Sequence, residues 1–294
     1  MKTSTKIIIF LSVLLVLILL AFGIIYFFNQ PSNESKQLTS LSSEDKKDTA
    51  IVTPVKRDTL PQKLPFLKPD SLEIPFLPEN TTITSHTGFS LCYSEEHEQA
   101  FWVAYEFTKA ETNKKVDRTD NFKPDPKIST KSADDQDYKK SGYDRGHLAA
   151  AADMAWSLEA MNASFYYSNM SPQTPSFNRG IWKKLEEQVR DWVMLYDTLY
   201  VVTGPVLTKG LPAIGPNKVS VPNYYYKVIL DYKKSRQQAI GFLLPNQKSS
   251  LPLPQYVVSV DSIEKLTSID FFFRLEDNQE QFLEQNLCAN CWQW

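Results

Sequence analysis

Four consecutive residues, Asp144-Arg145-Gly146-His147, combine side chains that suit phosphodiester chemistry. A histidine imidazole has an ordinary pKa near ~6.5, so at neutral pH it can take a proton from water. The guanidinium of Arg145 can bind a phosphate through a planar pair of hydrogen bonds, and Gly146 lets the backbone between the two side chains bend. The segment therefore predicts a site that acts on phosphate esters, with His147 as the base.

Three further motifs follow in the chain: Ser168-Asn169-Met170-Ser171-Pro172-Gln173, Asn178-Arg179-Gly180-Ile181-Trp182 and Leu185-Glu186. With these motifs in this order, the chain resembles the DNA/RNA non-specific endonuclease family, the endonuclease G-like ββα-metal nucleases. The resemblance runs from about Phe89 to about Leu275 and is densest from Tyr143 to Arg190. It implies Mg²⁺-dependent hydrolysis of DNA and RNA by water, with products that carry 5′-phosphates. Such an enzyme recognises the backbone and groove shape rather than the base sequence.

The resemblance gives His147 the role of activating the attacking water and Asn178 the role of Mg²⁺ ligand, with Mn²⁺ as a candidate substitute. An amide oxygen is a hard donor, and Mg²⁺ keeps several waters, so one asparagine is chemically sufficient. The alternative for Asn178 is a plain N-cap of the helix that follows it.

Two arginines are expected to contact the phosphate. A bidentate guanidinium stabilises charge that grows in the transition state, and the resemblance gives this role to Arg145 and Arg118. The alternative for Arg118 is an exposed loop arginine. Asp144 is expected to orient the loop or to pair locally.

The resemblance also places Asn169 and Glu186 in the site. Asn169 would steady the bound phosphate or base, and its structural alternative is to stabilise a buried turn. Glu186 would hold a water of the hydrated cation rather than bind the cation directly. Its alternative is surface pairing with a neighbouring cation, Lys183 or Arg190.

The other two histidines, His86 and His97, are expected to be solvated. His86 precedes the first predicted strand, and His97 lies in the turn of a predicted hairpin. The choice of a histidine base therefore narrows to His147.

Composition predicts a folded protein without a global positive field. Hydrophobic residues make up 42% of the 294 residues, which is ample for a core. The net charge is −2, from 32 basic and 34 acidic residues. A polyanion would therefore have to bind at a local basic patch.

Ile7 to Phe28 is a run of 22 residues without a charge, which as a helix spans about 33 Å, close to the ~30 Å hydrocarbon core of a bilayer. We expect residues 1–28 to form an uncleaved membrane anchor. A signal peptide is the alternative, although its apolar region usually has only ~7–15 residues. Lys2 and Lys6 keep the N-terminus cytoplasmic, so the catalytic domain is expected in the periplasm or outside the cell, or in the intermembrane space of a mitochondrion.

Residues 29–63 are polar and lack aromatic side chains, so we expect a disordered linker. Residues 64–294 are then one catalytic domain. Its short apolar and aromatic runs, bounded by turn residues, predict strands at Phe89–Tyr93, Phe101–Phe107, Thr198–Thr203, Tyr224–Tyr232, Ala239–Leu244 and Tyr256–Val260. Apolar residues from Ile181 to Tyr196 recur at helical spacing, and further helices are expected from Asp261 and over Glu276–Asn286. The fold class is α+β, a mixed and mainly antiparallel sheet with the ββα-metal motif, preceded by one transmembrane helix.

Three cysteines are too few for a disulfide framework. Cys288-Ala-Asn-Cys291 has the spacing of half a zinc site or a redox pair, but no second pair completes a tetrahedral site. A local disulfide is the simpler interpretation.

Two rival functions remain open: a catalytically inactive nucleic-acid-binding protein, and an envelope scaffold in which the motif only stabilises a turn. DNA and RNA are the expected substrates, and a homodimer is compatible with the sequence. The sequence identifies no inhibitor protein and does not separate DNA from RNA preference.

Overall fold

The structure is a computed structural model that describes residues 71–77, 82–233 and 235–294. The predicted anchor and linker, residues 1–63, lie outside the described residues. Within the part of the chain that is described, no helix is both long and apolar enough to cross a membrane.

A seven-stranded sheet forms the centre of the domain, with the strand order β1-β2-β3-β6-β9-β10-β11 and antiparallel pairing throughout. The strands are β1 Ile83–His86, β2 Phe89–Ser94, β3 Gln99–Thr108, β6 Thr198–Pro205, β9 Tyr224–Lys233, β10 Arg236–Pro245 and β11 Val257–Val258. The predicted hairpin of β2 and β3 is confirmed, and so is the mainly antiparallel α+β fold. The last predicted strand is shorter than expected, because a 3₁₀ turn at Leu253–Tyr256 takes up its start.

Both faces of this sheet are buried. Side chains alternate across a strand, and on β3 Trp102 and Ala104 belong to one hydrophobic core while Val103 and Tyr105 belong to the other. Such burial explains why the long strands have nearly continuous apolar sequences.

The predicted catalytic segment forms a two-stranded ribbon followed by a helix. Strands β4 Asp144–His147 and β5 Met170–Gln173 pair antiparallel. A short helix α3 follows at Pro175–Phe177, then a π-helical turn at Asn178–Trp182 that is interrupted at Gly180, and then α4 at Lys183–Tyr196.

Helix α4 confirms the predicted amphipathic helix, and its buried face packs on one side of the sheet. The buried residues are Leu185, Val189, Trp192, Val193 and Tyr196. The helix begins at Lys183 with Trp182 as its N-cap, and Asn178 has αR backbone angles. The N-cap alternative for Asn178 is therefore wrong.

The opposite side of the sheet is covered by two later helices, α5 Val260–Thr267 and α6 Asp277–Gln285, whose buried residues Val260, Ile263 and Leu283 belong to the second core. The prediction of a cap at Asp261 is wrong by two residues. Ser259 is the N-cap, and its hydroxyl accepts a hydrogen bond from the Ser262 backbone N–H at 3.3 Å. The predicted helix over Glu276–Asn286 is confirmed to within one residue at each end.

The remaining elements are short. They are helices α1 Asp135–Tyr138 and α2 Leu158–Ser164, strands β7 Ala213–Ile214 and β8 Val219–Ser220, and 3₁₀ turns at Lys109–Thr112, Tyr167–Asn169 and Ala289–Cys291. Cys288 and Cys291 form the expected local disulfide.

Candidate active site

A cavity of about 510 Å³ opens beside the β4–β5 ribbon. It collects cationic side chains from segments far apart in sequence, although the chain as a whole is slightly acidic. Its lining includes Arg118, Lys139, Arg145, Asn178 and Arg179. The carboxylates of Asp120, Asp135 and Asp144 line it as well, so its four cationic side chains exceed its acidic ones by one.

His147 is the last residue of β4, and only 8% of it is exposed. Its ring lies edge-on between two phenylalanines, with centroids 5.9 Å from Phe122 and 4.9 Å from Phe165. The Nε2 atom is buried and has no hydrogen-bond partner among the described residues. Burial, followed by the charges of Arg118 and Arg145, lowers the pKa of His147 to about 3. The imidazole is therefore neutral at neutral pH and able to accept a proton.

The two predicted phosphate-binding arginines lie over the two phenylalanine rings that flank His147. The guanidinium carbon of Arg118 is 4.8 Å from the centroid of Phe165, and that of Arg145 is 4.1 Å from the centroid of Phe122. Each guanidinium group is also hydrogen-bonded to a carboxylate. Arg118 Nε donates to Asp120 at 2.6 Å, and Arg145 Nη1 donates to Asp135 at 2.7 Å. Their side chains remain 51% and 37% exposed, which leaves both able to bind an anion in the cavity.

Asn178 lines the same cavity as Asp144 of β4, and the two side chains are hydrogen-bonded to each other. Its Nδ2 donates to Asp144 Oδ2 at 3.0 Å. The same carboxylate accepts two hydrogen bonds from Arg179, at 2.8 and 2.6 Å. Asp144 therefore pairs locally, as expected, and fixes the π-helical turn against the strand that carries His147.

The arrangement of Asn178 fits a hard divalent cation. Because its nitrogen bonds Asp144, its amide oxygen is left without a hydrogen bond from any described residue, and the side chain lines the cavity. The Asp144 carboxylate fixes the orientation of this amide, while Arg179 compensates its charge. Mg²⁺ is usually held by one or two protein groups and keeps its other waters, so these residues fit Mg²⁺.

Asn169 is fully buried, and its amide is bonded to backbone groups on two sides. Its oxygen accepts from the Ala149 backbone N–H at 2.8 Å, and its nitrogen donates to the carbonyls of Ala149 and Ser164 at 3.0 and 2.8 Å. These contacts correspond to the turn-stabilising alternative and hold the loop that follows His147. Contact of Asn169 with a substrate stays a prediction.

Glu186 faces a cluster of buried charges rather than the open surface. Burial raises its pKa, while Lys227 opposes the shift and Arg118 does so more weakly. The predicted alternative partners are both engaged elsewhere. Lys183 is 3.5 Å from Glu187, and Arg190 donates to Asp153 at 2.8 Å. The surface-pairing alternative for Glu186 is therefore not formed.

Three residues of this cluster, Asp153, Arg190 and Lys227, are not among the predicted site residues. Lys227 is 1% exposed, and its Nζ lies 4.9 Å from the Trp182 ring centroid. Burial lowers its pKa, and the nearby Glu186 partly opposes this shift. The signal in the sequence is a charged residue within an apolar run, as in the strand Tyr224–Lys233.

The expectation that His86 and His97 are solvated is wrong. The His86 side chain is 3% exposed and lies 2.8 Å from Asp125 Oδ2. His97 is 7% exposed, and its Nδ1 lies 2.9 Å from the Ser220 hydroxyl. Both rings are bonded to partners distant in sequence, which leaves His147 as the histidine with an unbonded buried nitrogen.

Comparison with known proteins identifies the family of the chain. The family model described as DNA/RNA non-specific endonuclease matches residues 70–278. This match covers more than half of the chain, including the cavity and the ββα segment. The chain therefore belongs to the DNA/RNA non-specific endonuclease family, whose members hydrolyse phosphodiester bonds.

Human mitochondrial endonuclease G is 33% identical over 210 residues, which cover 66% of this chain and 71% of that protein. Mitochondrial nuclease EXOG of Xenopus laevis is 35% identical over 216 residues, 67% of this chain and 60% of that protein. A nuclease of Syncephalastrum racemosum is 34% identical over 251 residues, 77% of each chain. A chain in the crystal structure of the EndoG/EndoGI complex matches with a TM-score of 0.62 at 33% identity, over 67% of this chain and 88% of that one.

Proposed function

We propose that this chain is a Mg²⁺-dependent endonuclease that cuts both DNA and RNA and leaves 5′-phosphates. The observation that carries the proposal is the state of His147. Its imidazole is neutral, its Nε2 is unbonded, and it lies beside two arginines that line an open cavity.

His147 acts as the general base. A water that attacks phosphorus must lose a proton, and the neutral imidazole accepts it. Arg118 and Arg145 are the charges that lower the pKa of His147. A phosphate bound to both arginines offsets those charges, so the binding of substrate raises the pKa of His147 and makes it a stronger base.

Arg145 and Arg118 bind the phosphate and stabilise the charge that develops on it. Asp135 and Asp120 hold the two guanidinium groups in place before substrate binds. Because these contacts involve the phosphate, and the nucleophile is water rather than a 2′-hydroxyl, the site accepts DNA and RNA alike.

Asn178 would hold Mg²⁺ through its amide oxygen. When bound, Mg²⁺ supplies Lewis-acid stabilisation of the phosphate and of the leaving oxygen. Glu186 lies near the charges of Lys227, Asp153 and Arg190, and it would hold a water of the hydrated cation rather than bind the cation directly.

Residues 7–28 are proposed to anchor the chain in a membrane, with the N-terminus cytoplasmic and the nuclease domain in the periplasm or outside the cell, or in the intermembrane space. The local disulfide of Cys288 and Cys291 supports an oxidising compartment. Protease added to spheroplasts, from which the outer membrane has been removed, or to mitoplasts, should degrade the domain. Protection of the domain until the membrane is permeabilised would contradict this orientation.

The full chain, purified in a non-ionic detergent, provides the test of the activity. Supercoiled plasmid and single-stranded RNA are incubated with Mg²⁺ or with a chelator. Wild type should cut both only with Mg²⁺, and mass spectrometry of short products should place the phosphate on the 5′ end. His147→Ala should lose roughly 10²–10⁴-fold in rate, and Asn178→Ala should lose activity in a way that added Mg²⁺ partly restores. Lys184→Ala, at an exposed position of α4, is the matched control.

The rivals predict different outcomes. An inactive nucleic-acid-binding protein would retard the plasmid in a gel without nicking it, and an envelope scaffold would do neither. Equal cutting by His147→Ala and wild type would overturn the assignment of the base.

A further inference from the structure

Five carboxylates converge on the side of the sheet that is covered by α5 and α6, away from the nuclease cavity. They are Asp261, Glu264, Asp270, Glu280 and Glu284. One oxygen each of Asp261, Glu264 and Glu284 lie within 4.8 Å of one another, and the same holds for Asp270, Glu280 and Glu284. The two groups share Glu284, so they form one cluster, which we call the acidic cluster.

The spacing of these residues in the sequence works against the helices that carry them. Asp261 and Glu264 are three residues apart on α5, and Glu280 and Glu284 are four residues apart on α6. Like charges at either spacing are neighbours on a helix and destabilise it. Glu284 also lies in the last turn of α6, where the negative end of the helix dipole disfavours a carboxylate. Asp261 and Glu280 lie in the first turns of their helices, where the dipole favours a carboxylate, so the unfavourable position is that of Glu284.

Glu284 supplies the observation that points to a ligand. It is only 6% exposed, and its Oε1 is buried without a hydrogen-bond partner among the described residues. The Oε1 of Glu280 is also buried and has no hydrogen-bond partner among the described residues. Among the described residues, neither Glu280 nor Glu284 forms an ion pair with a basic side chain.

One member of the cluster is already fixed in place. Glu264 Oε1 accepts a hydrogen bond from the Phe271 backbone N–H at 2.9 Å. Ile263 and Leu283, on the same two helices, are buried in the core beneath. The backbone positions that carry the carboxylates are thus set by packing, before any ligand is present.

We propose that the acidic cluster binds Ca²⁺ and thereby links α5 to α6. Ca²⁺ takes six to eight oxygen ligands at roughly 2.3–2.6 Å in flexible geometry, so oxygens on opposite sides of one ion lie about 4.8 Å apart. Within each group of three, Asp261, Glu264 and Glu284 or Asp270, Glu280 and Glu284, the oxygens lie within that distance, so each group can supply three ligands to one ion. Mg²⁺ requires a regular octahedron at about 2.0–2.1 Å and gives up its waters reluctantly, so a site built of several carboxylates from two helices and a loop favours Ca²⁺.

The inference is independent of the nuclease mechanism, and its test measures folding rather than cleavage. The full chain in detergent is freed of metal with a chelator, and its melting temperature is followed by tryptophan fluorescence. With a dissociation constant near ~1 mM, typical of extracellular Ca²⁺ modules, about 10 mM CaCl₂ should raise the melting temperature by about 3–6 °C. MgCl₂ at the same concentration should raise it less.

Glu284→Gln should abolish the rise and, without Ca²⁺, should melt at or above the wild-type temperature, because one uncompensated carboxylate is removed. Glu280→Gln serves in its place if the first variant does not fold. Glu276→Gln, at an exposed position at the start of α6, should keep the full response. Asn178→Ala should also keep it, which separates this site from the one in the nuclease cavity. The proposal is overturned if CaCl₂ leaves the wild-type melting temperature unchanged, or if Glu284→Gln responds like wild type.

Discussion

At the scale of single residues, the surroundings of His147 decide how the site depends on pH. Two phenylalanine rings remove water from the imidazole, and two arginines add positive charge beside it. Both effects disfavour the imidazolium ion. The same arginines that bind the substrate therefore keep the base unprotonated in the free enzyme.

The pH dependence of kcat/KM reports groups of the free enzyme, so it should follow this lowered pKa. The neutral imidazole persists as the pH falls from 6.5 toward the pKa of about 3. We expect the acid limb of the kcat/KM profile to lie well below pH 6.5. Arg145→Gln removes one of the charges and should raise the pKa of His147, which moves the limb to higher pH by up to about one unit.

Lys139→Gln is the matched control for this shift. Lys139 lines the same cavity but is not among the charges that lower the pKa of His147. Its profile should therefore keep the wild-type acid limb. A wild-type limb at pH 6.5 that does not move in Arg145→Gln would contradict the electrostatic account.

Asn169 gives a second prediction at this scale. Asn169→Ala leaves a backbone N–H at Ala149 and carbonyls at Ala149 and Ser164 without their partner. Unsatisfied buried groups cost roughly 1–3 kcal/mol each, so with three such groups we expect the free energy of unfolding in urea to fall by at least about 3 kcal/mol. Asn113→Ala, in an exposed loop, should change it little. An unchanged value for Asn169→Ala would show that the residue serves only the substrate.

Among the helices and strands, the sequence predicts those whose apolar residues form continuous runs or recur at helical spacing. The long strands β3, β9 and β10 were predictable because burial of both faces gives them nearly continuous apolar sequences, and the helix α4 because burial of one face repeats apolar residues every 3.6 positions. Strands β4 and β5 are only four residues long and consist mostly of polar residues and glycine or proline, so their sequences contain no apolar run. Their place in the site was predictable only through the family resemblance.

Two further features of the structure could not be predicted from local sequence. The π-helical turn at Asn178–Trp182 has a sequence that looks like the start of a continuous helix, so the position of Asn178 relative to α4 depends on tertiary contacts. The burial of His86 and His97 depends on partners 39 and 123 residues away. Long-range hydrogen bonds leave no periodic signal in the chain.

In the β4–β5 ribbon, Gly146 lies against Gln173 and has no room for a side chain. Gly146 pairs with Ser171, and a Cβ added to Gly146 would lie 2.2 Å from Gln173 Cδ. Gly146→Ala should therefore destabilise the domain by about 1–3 kcal/mol and lower the cleavage rate by displacing His147. Because the clash is with a side chain, the double variant Gly146→Ala, Gln173→Ala should recover much of the melting temperature. A double variant as unstable as the single one would show that the backbone itself rejects the methyl group.

At the scale of the whole molecule, the sheet separates two regions of opposite charge. The ββα segment and its cationic cavity lie with the core that contains α4, and the acidic cluster lies with the core beneath α5 and α6. This separation explains how a chain with a net charge of −2 presents a surface suited to a polyanion. Composition alone could not predict it, because charges on both faces cancel in the total.

Since the positive charge is local, few phosphates are neutralised and the salt dependence of cleavage should be shallow. The logarithm of the affinity for duplex DNA falls by about 0.9 per neutralised phosphate for each tenfold rise in salt. With Arg118 and Arg145 as the main contacts, log(kcat/KM) against log[KCl] at constant Mg²⁺ should have a slope between about −2 and −4. Arg118→Gln should make that slope shallower by about one, whereas Lys265→Gln, on the side of the acidic cluster, should leave it unchanged. A slope near −10, or an equal effect of the two substitutions, would mean that DNA contacts a much larger surface than this cavity.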